Sequence, residues 1–192
     1  MGIRPMVETC GDAPDVASSG ITFTPTDSAL YQTLGEYLKT VLPSPFRIRQ
    51  GQQNRTPSPV GPYCVMQLIT TRLLATNGWF YTDASRLVTE LREVTVQVSA
   101  FGTGAGDALK QVCGLWRDFY TTDWLQAYAP ILSPLSAAEP RQLGFVNGEA
   151  QYEDAWSVDL KMQVNYQRTI PQQFADKITV TTYAADLSPT QE

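Results

Sequence analysis

Two stretches of the chain alternate apolar and polar side chains without interruption. Residues 92–100 put Val94, Val96, Val98 and Ala100 on one side and Glu93, Thr95, Gln97 and Ser99 on the other. Residues 155–166 set Trp156, Val158, Leu160, Met162, Val164 and Tyr166 against Ser157, Asp159, Lys161, Gln163 and Asn165. Successive side chains of an extended chain point to opposite faces, so both stretches predict strands with one buried face. Two other stretches repeat every three or four residues. Leu30, Leu34, Leu38, Val41 and Leu42 form one stripe; Ala105, Ala108, Leu109, Val112, Leu115, Trp116 and Phe119 form another. They predict helices over about 27–42 and 104–120. Thr26 or Asp27 caps the first, because a short side-chain oxygen accepts from the free amides of the first turn. Pro43 and Pro45 end it. A short helix at about 122–128, capped by Thr122 or Asp123, follows the second.

The remaining pattern is weaker. Phe46–Arg49 reads as a short strand with Phe46 and Ile48 inward and Arg47 and Arg49 outward. Residues 50–61 form a polar loop that holds Gln52, Gln53, Asn54 and Arg55. Tyr63–Thr70 is apolar on both faces, as a strand covered on both sides, in the sheet or in an assembly, is. Residues 73–86, with Asn77-Gly78 and Asp83, predict a turn or a long hairpin tip carrying Trp79, Phe80 and Tyr81. Residues 129–150 read as loop-rich, with a short strand at 142–146 and a turn at Asn147-Gly148. A last strand is expected at 177–184. The order of helix, strands, helix, strands predicts an α+β domain, with a mainly antiparallel (mixed) β-sheet and two helices packed on one face. Residues 1–25 show no periodicity and predict an N-terminal arm, flexible or ordered on a partner. The domain then spans 26–186 and a tail 187–192.

Composition narrows the chemistry. Of 192 residues 43% are apolar, enough for a core, and the net charge is -5. An acidic chain is poorly suited to wrapping nucleic acid, which relies on Lys and Arg neutralising phosphates. The sequence contains no histidine. Ser-His-Asp and Cys-His catalysis and His-containing zinc sites are therefore excluded. Cys10, Cys64 and Cys113 are odd in number and widely spaced, so they read as reduced, buried thiols. No signal peptide or spanning apolar run is apparent, and a soluble chain made in a reducing cytoplasm is expected.

Several constellations have both a plain and a functional reading. Gly102-Thr103-Gly104-Ala105-Gly106-Asp107 lies where an anion-binding turn would be, but it lacks the P-loop lysine and the third dinucleotide glycine. A tight strand-to-helix turn is the plainer reading. Glu149, Glu153, Asp154 and Asp159 crowd one stretch but match no calcium loop. No cofactor and no metal is expected. Arg47, Arg49 and Arg55 lie in a segment without acids, and Glu149, Glu153 and Asp154 in one without bases. They are either complementary patches that meet between subunits or scattered surface charge. Arg47 and Arg49 facing a lumen is a further alternative. Trp79, Phe80 and Tyr81 either fold back into the core or meet a partner.

Several motifs in order resemble the neck-terminator (tail-terminator) proteins of tailed bacteriophages. They begin with Arg49-Gln50-Gly51-Gln52-Gln53-Asn54-Arg55, Gly61-Pro62 and Leu74-Ala75-Thr76-Asn77. Gly104-Ala105-Gly106-Asp107-Ala108 and Leu115-Trp116-Arg117-Asp118 follow. Phe145-Val146-Asn147-Gly148-Glu149, Gln151-Tyr152-Glu153 with Trp156, and Pro171-Gln172-Gln173-Phe174-Ala175-Asp176 complete the series, which covers about 26–185. The resemblance implies a structural virion protein of the tail or neck, made in the host bacterial cytoplasm, and not an enzyme. It implies a ring, usually a hexamer, that caps the tail tube and joins it to the head-side neck or connector (stopper or adaptor) proteins. Sheath is a further partner if the tail is contractile, and genomic DNA meets the ring only in transit through the lumen. A small α+β protein-binding module unrelated to virions, or an enzyme using carboxylates, are the competing readings. Arg47, Arg49, Gln52, Gln53, Asn54, Arg55, Trp79, Phe80, Tyr81, Glu149, Glu153 and Asp154 are the expected interface residues.

Overall fold

The computed structural model describes residues 20–52, 59–146 and 152–172. The expected strand at 177–184, the turn at Asn147-Gly148, Cys10, the tail 187–192 and most of the arm lie outside them. Helix α1 (Asp27–Val41) begins where the cap predicts. The Thr26 hydroxyl accepts from the Ala29 amide at 3.2 Å, satisfying one donor that the first turn leaves free. The second apolar stripe divides into two helices, α2 (Ala105–Trp116) and α3 (Phe119–Tyr128). Asp118, rather than Thr122 or Asp123, caps the second by accepting from the Tyr120 amide at 2.9 Å. A single helix to residue 120 would have put Phe119 on the buried face; the break leaves it 81% exposed.

The strands are β1 (Thr22–Thr24), β2 (Arg47–Gln50), β3 (Tyr63–Leu73), β4 (Gly78–Tyr81), β5 (Ser85–Phe101), β6 (Leu132–Ala137), β7 (Arg141–Gln142), β8 (Phe145–Val146), β9 (Tyr152–Glu153) and β10 (Ala155–Pro171). The main sheet runs β1-β10-β5-β3-β2, with β4 beside β5 and β6 and β7 beside β10. Among the described residues only β2 and β3 pair in parallel, so the sheet is mixed and mainly antiparallel. Its spine is β5 against β10, in unbroken antiparallel register from Ala155↔Phe101 to Pro171↔Ser85. Both strands are 17 residues long and outrun the stretches of strict alternation. Thr22–Thr24, within the segment read as an arm, pairs with β10 of the same chain.

Two expectations need correction. Cover of β3 on both sides within the sheet is overturned: Cys64 and Met66 are buried, but Ile69–Leu73 is exposed throughout, and cover in an assembly is the alternative that stands. The stretch 129–150 is not simply loop, because β6 pairs with β10 from Leu160↔Ala137 to Val164↔Leu132. Pro134 hid this strand. A proline is tolerated on a strand paired along one side, where its missing amide is not needed.

The helices cover one face of the sheet. Val94, Val96, Val98 and Ala100 of β5 and Val158, Leu160, Met162 and Val164 of β10 pack beneath Leu30, Leu34, Leu38, Leu109 and Val112. Tyr37 makes edge contacts with Trp116 and Trp124 at ring separations of 5.5 and 5.4 Å. Polar ends buried in this layer are satisfied. Trp116 Nε1 donates to the Lys161 carbonyl at 3.1 Å, and the Leu68 amide donates to the Tyr31 hydroxyl at 2.8 Å beside the β3 bulge.

Candidate functional site

The helical layer is shorter than the sheet. On β5 the buried positions run from Ala100 down to Val94 and then stop, apart from Glu90. From Val94 to Ser85 the strand continues for about 30 Å at 3.4 Å per residue. There β5 and β4 form a hairpin whose turn is closed by the Thr82 amide donating to the Ser85 carbonyl at 2.8 Å. The expected long hairpin is present, with its tip at residues 82–85. Asn77-Gly78 is not the turn; it lies where β3 ends and β4 takes over its place beside β5.

The hairpin exposes its aromatic side chains. Trp79 is 65% exposed, Phe80 67% and Tyr81 48%. The alternative that they fold back into the core is therefore overturned. Ile69, Leu73 and Leu74 are 40–48% exposed, so apolar side chains stand outside the core along β3, β4 and the link between them. Apolar side chains gathered in this way mark a surface that gains free energy when covered.

The second predicted surface begins at β2, an outer strand of the sheet. Arg47 and Arg49 point away from the helices, as the alternation predicts, and both are exposed. Gln52 is exposed and holds a left-handed backbone at φ 58°. Gln53, Asn54, Arg55 and Glu149 lie outside the described residues. Glu153 and Asp154 line a cleft with Gln142, Leu143, Gly144 and Phe145. The Asp154 carboxylate accepts from Trp156 Nε1 at 2.8 Å, and its backbone carbonyl from the Gly102 amide at 2.8 Å. Arg47 and Ala155 share one row of the sheet through Tyr63 and Phe101. Three strand spacings, about 14 Å, separate them. The basic and acidic patches thus occupy the same end of the sheet but do not meet within one chain.

The face without helices carries a network of its own. Lys161 and Arg72 pair with Glu93 at 3.4 and 3.3 Å, and Arg141 pairs with Asp159 at 3.2 Å. Among the described residues, these three cations with Arg47 and Arg49 outnumber the two carboxylates they meet on this face, although the chain's net charge is -5. Sequence reasoning did not find this, because the pairs join neighbouring strands that lie far apart along the chain.

The glycine-rich turn has a steric explanation. Gly102 and Gly104 adopt φ of 92° and 85°, a region costly for residues with a Cβ. A Cβ on Gly106 would stand 2.8 Å from the Trp156 ring, so the helix can approach β10 only with glycine there. Among the described residues, no group of three or more Cys, Asp or Glu side chains comes together as a metal site. Cys64 and Cys113 are buried and unbridged. Burial pushes the Cys64 thiol up to about 12, and the Tyr37 hydroxyl likewise to about 12. Neither is a nucleophile at neutral pH.

A buried charge cluster went unpredicted. Glu90, 2% exposed, pairs with Arg92 at 2.8 Å and with Arg168. The Arg168 guanidinium also lies 5.0 Å from the centre of the Phe23 ring, which stacks on Tyr166 at 5.2 Å. This cluster fastens β1 to the sheet where the helical layer ends.

The model of the phage neck terminator protein family matches residues 28–186. The chain belongs to the phage neck terminator family. The match takes in α1 through β10 and so the whole helical layer, the exposed hairpin and β2. No curated protein matches this family member in sequence. Among solved structures it is similar to the sheath/tube terminator of an extracellular contractile injection system in its extended state. The identity is 10% and the TM-score 0.37, over 88% of this chain and 66% of that one. The chain thus spans just under two thirds of the length of that structure's chain.

Proposed function

We propose that this chain is a structural virion protein of the phage tail or neck. Copies of it form a ring, a homo-hexamer by the family resemblance, that caps the tail tube and presents a surface to the head-side connector proteins. DNA passes through its lumen, and sheath is a further neighbour if the tail is contractile. The observation that carries this reading is the family match across nearly the whole domain, 28–186. The exposed aromatic hairpin supports it, since a chain that works by being covered has reason to keep Trp79 and Phe80 outside its core.

In this reading the protein acts by shape and adhesion, not catalysis. Arg47 and Arg49 of one subunit meet Glu153 and Asp154 of the next, fixing the register of the ring. Gln52, Gln53, Asn54, Arg55 and Glu149 belong to the same contact, while Trp79, Phe80 and Tyr81 anchor a second one.

Particles assembled without the protein test the function. Tails of irregular length that fail to join heads are expected; normal tube lengths and normal joining would sink the proposal. Arg49→Glu and Glu153→Arg test the register contact. Each alone is expected to lower the multimer fraction in native mass spectrometry, and the double variant to recover part of it. Unchanged assembly in both single variants would dismiss the pairing.

A further inference from the structure

Past the end of the helical layer, the helix-side face of the sheet turns basic. Side chains two apart on a strand share a face, so Arg92, Glu90, Val88 and Arg86 follow Val94 on that side of β5. Arg168 joins them from β10. It stands opposite Val88, which makes it a diagonal neighbour of Arg86 at about 7–8 Å. Three arginines thus gather around one carboxylate, Glu90, and that carboxylate is already engaged. It accepts from Arg92 Nε at 2.8 Å and from Asn77 Nδ2 at 3.5 Å, and it pairs with Arg168. Arg86 forms no ion pair among the described residues, and its Nε is buried without a hydrogen-bond partner. A guanidinium desolvated in this way is costly unless a charged acceptor meets it, and its planar fork suits a carboxylate.

The chain carries such acceptors close by. Residues 5–19 hold Glu8, Asp12 and Asp15 and no lysine or arginine. Gly20, which follows them, packs on Pro171: a Cβ there would stand 2.7 Å from the proline Cγ. Pro171 in turn lies opposite Ser85, the residue before Arg86. Asp15 is five positions before Gly20 and Asp12 is eight, which extended chain spans in about 18 and 28 Å. Both carboxylates are therefore within reach of Arg86. Residues 173–192, which follow Gln172, are the competing source. Their first acid, Asp176, is followed directly by Lys177, which offsets its charge. We infer that Arg86, backed by Arg92 and Arg168, is a carboxylate-binding site, and that its occupant is the acidic stretch Glu8–Asp15 of the same chain. Trp79, opposite Val88, lies on the same face. The seated arm thus decides how much of that aromatic a partner meets. The inference goes beyond the ring reading and does not depend on it.

A nitroxide attached through maleimide to Cys10 reads the arm, since Cys10 lies between Glu8 and Asp12 while Cys64 and Cys113 are buried. In the full chain the label is expected to give a slow-motion spectrum by electron paramagnetic resonance. Asp12→Asn with Asp15→Asn, and separately Arg86→Gln, are expected to convert it to fast motion. The melting temperature checks that Arg86→Gln still folds. Arg86→Glu with Asp15→Arg is expected to bring the slow spectrum back, which a merely structural Arg86 would not do. A second label at Ala84→Cys, an exposed position in the hairpin turn, gives the distance to the arm. One narrow distance is expected, unchanged when unlabelled chain is added in excess. Fast motion in the native chain, or a slow spectrum that survives neutralisation of Asp12 and Asp15, would overturn the inference. A distance lost on dilution would put the arm on another copy and overturn the same-chain assignment. A fall in melting temperature shared by Arg86→Gln and Asp176→Asn, and no larger in the double variant, would give Arg86 to Asp176 and overturn it as well.

Discussion

Single side chains set the limits of tolerance in this fold. Gly106 is required by contact, since the Trp156 ring occupies the space of its missing Cβ. Gly106→Ala is expected to destabilise the domain by about 2 kcal/mol through overpacking. Gly104→Ala has open space and only a positive φ to bear, at about 1 kcal/mol. Urea unfolding of the two variants separates the causes; equal effects would contradict the contact. Glu90→Gln keeps the shape but leaves Arg92 and Arg168 without a countercharge. Because both arginines are partly exposed, a loss of about 2 kcal/mol is expected rather than the 3–5 of a fully buried pair. A variant of native stability would show the cluster to be dispensable. Cys64 and Tyr37 carry a pH dependence. Burial raises both to about 12, so the folded state holds its protons while the unfolded chain gives them up. Their contribution is whole below the ordinary thiol value of 9.0 and is lost as pH rises through about 12. Unfolding midpoints should therefore fall across that window, by up to about 1.4 kcal/mol per pH unit for each group. Cys64→Ala should flatten part of the fall; an unchanged slope would refute the assignment to the thiol.

At the scale of elements, legibility followed burial contrast. The interiors of β5 and β10 were readable because one face is sealed and the other wet, which forces strict alternation. Their lower halves were not, because Ser85–Leu91 has no helix above it and no reason to sort its faces. β6 stayed hidden behind Pro134 for the same kind of reason, one of its edges being free of obligation. The break between α2 and α3 has neither Gly nor Pro at its centre. Asp118 was its signal, a capping residue inside an otherwise continuous stripe. For the candidate surface, the sequence gathered Trp79, Phe80 and Tyr81 into one place but was silent on whether they are covered. That depends on how far the helices reach along the sheet. Since the hairpin stands outside the core, Trp79→Lys with Phe80→Lys is expected to shift stability by less than about 0.5 kcal/mol. Thermal unfolding checks this; a large loss would mean that the aromatics pack after all.

For the whole molecule, the two faces of the sheet differ: the helices seal one, and ion pairs line much of the other. Net charge alone suggested an acidic body, yet the helix-free face is rich in arginine and lysine. Charge on such a surface acts at a distance set by salt, with a reach of about 8 Å at physiological ionic strength. Assembly through Arg47, Arg49, Glu153 and Asp154 is thus expected to weaken between 50 and 500 mM salt, whereas assembly through the apolar side chains Trp79 and Phe80 should hold or strengthen. Light scattering across that range distinguishes the contributions, and a salt-independent multimer would argue against the charged contact.

The β5–β10 ladder has a mechanical consequence. Its 17 residue pairs lie side by side along one axis, from beneath the helices to the hairpin tip. Tension applied along that axis loads the rungs together in shear, so that no single hydrogen bond bears the pull. A joint built on such a girder stretches little before it fails, and it carries a displacement at one end to the other almost undiminished.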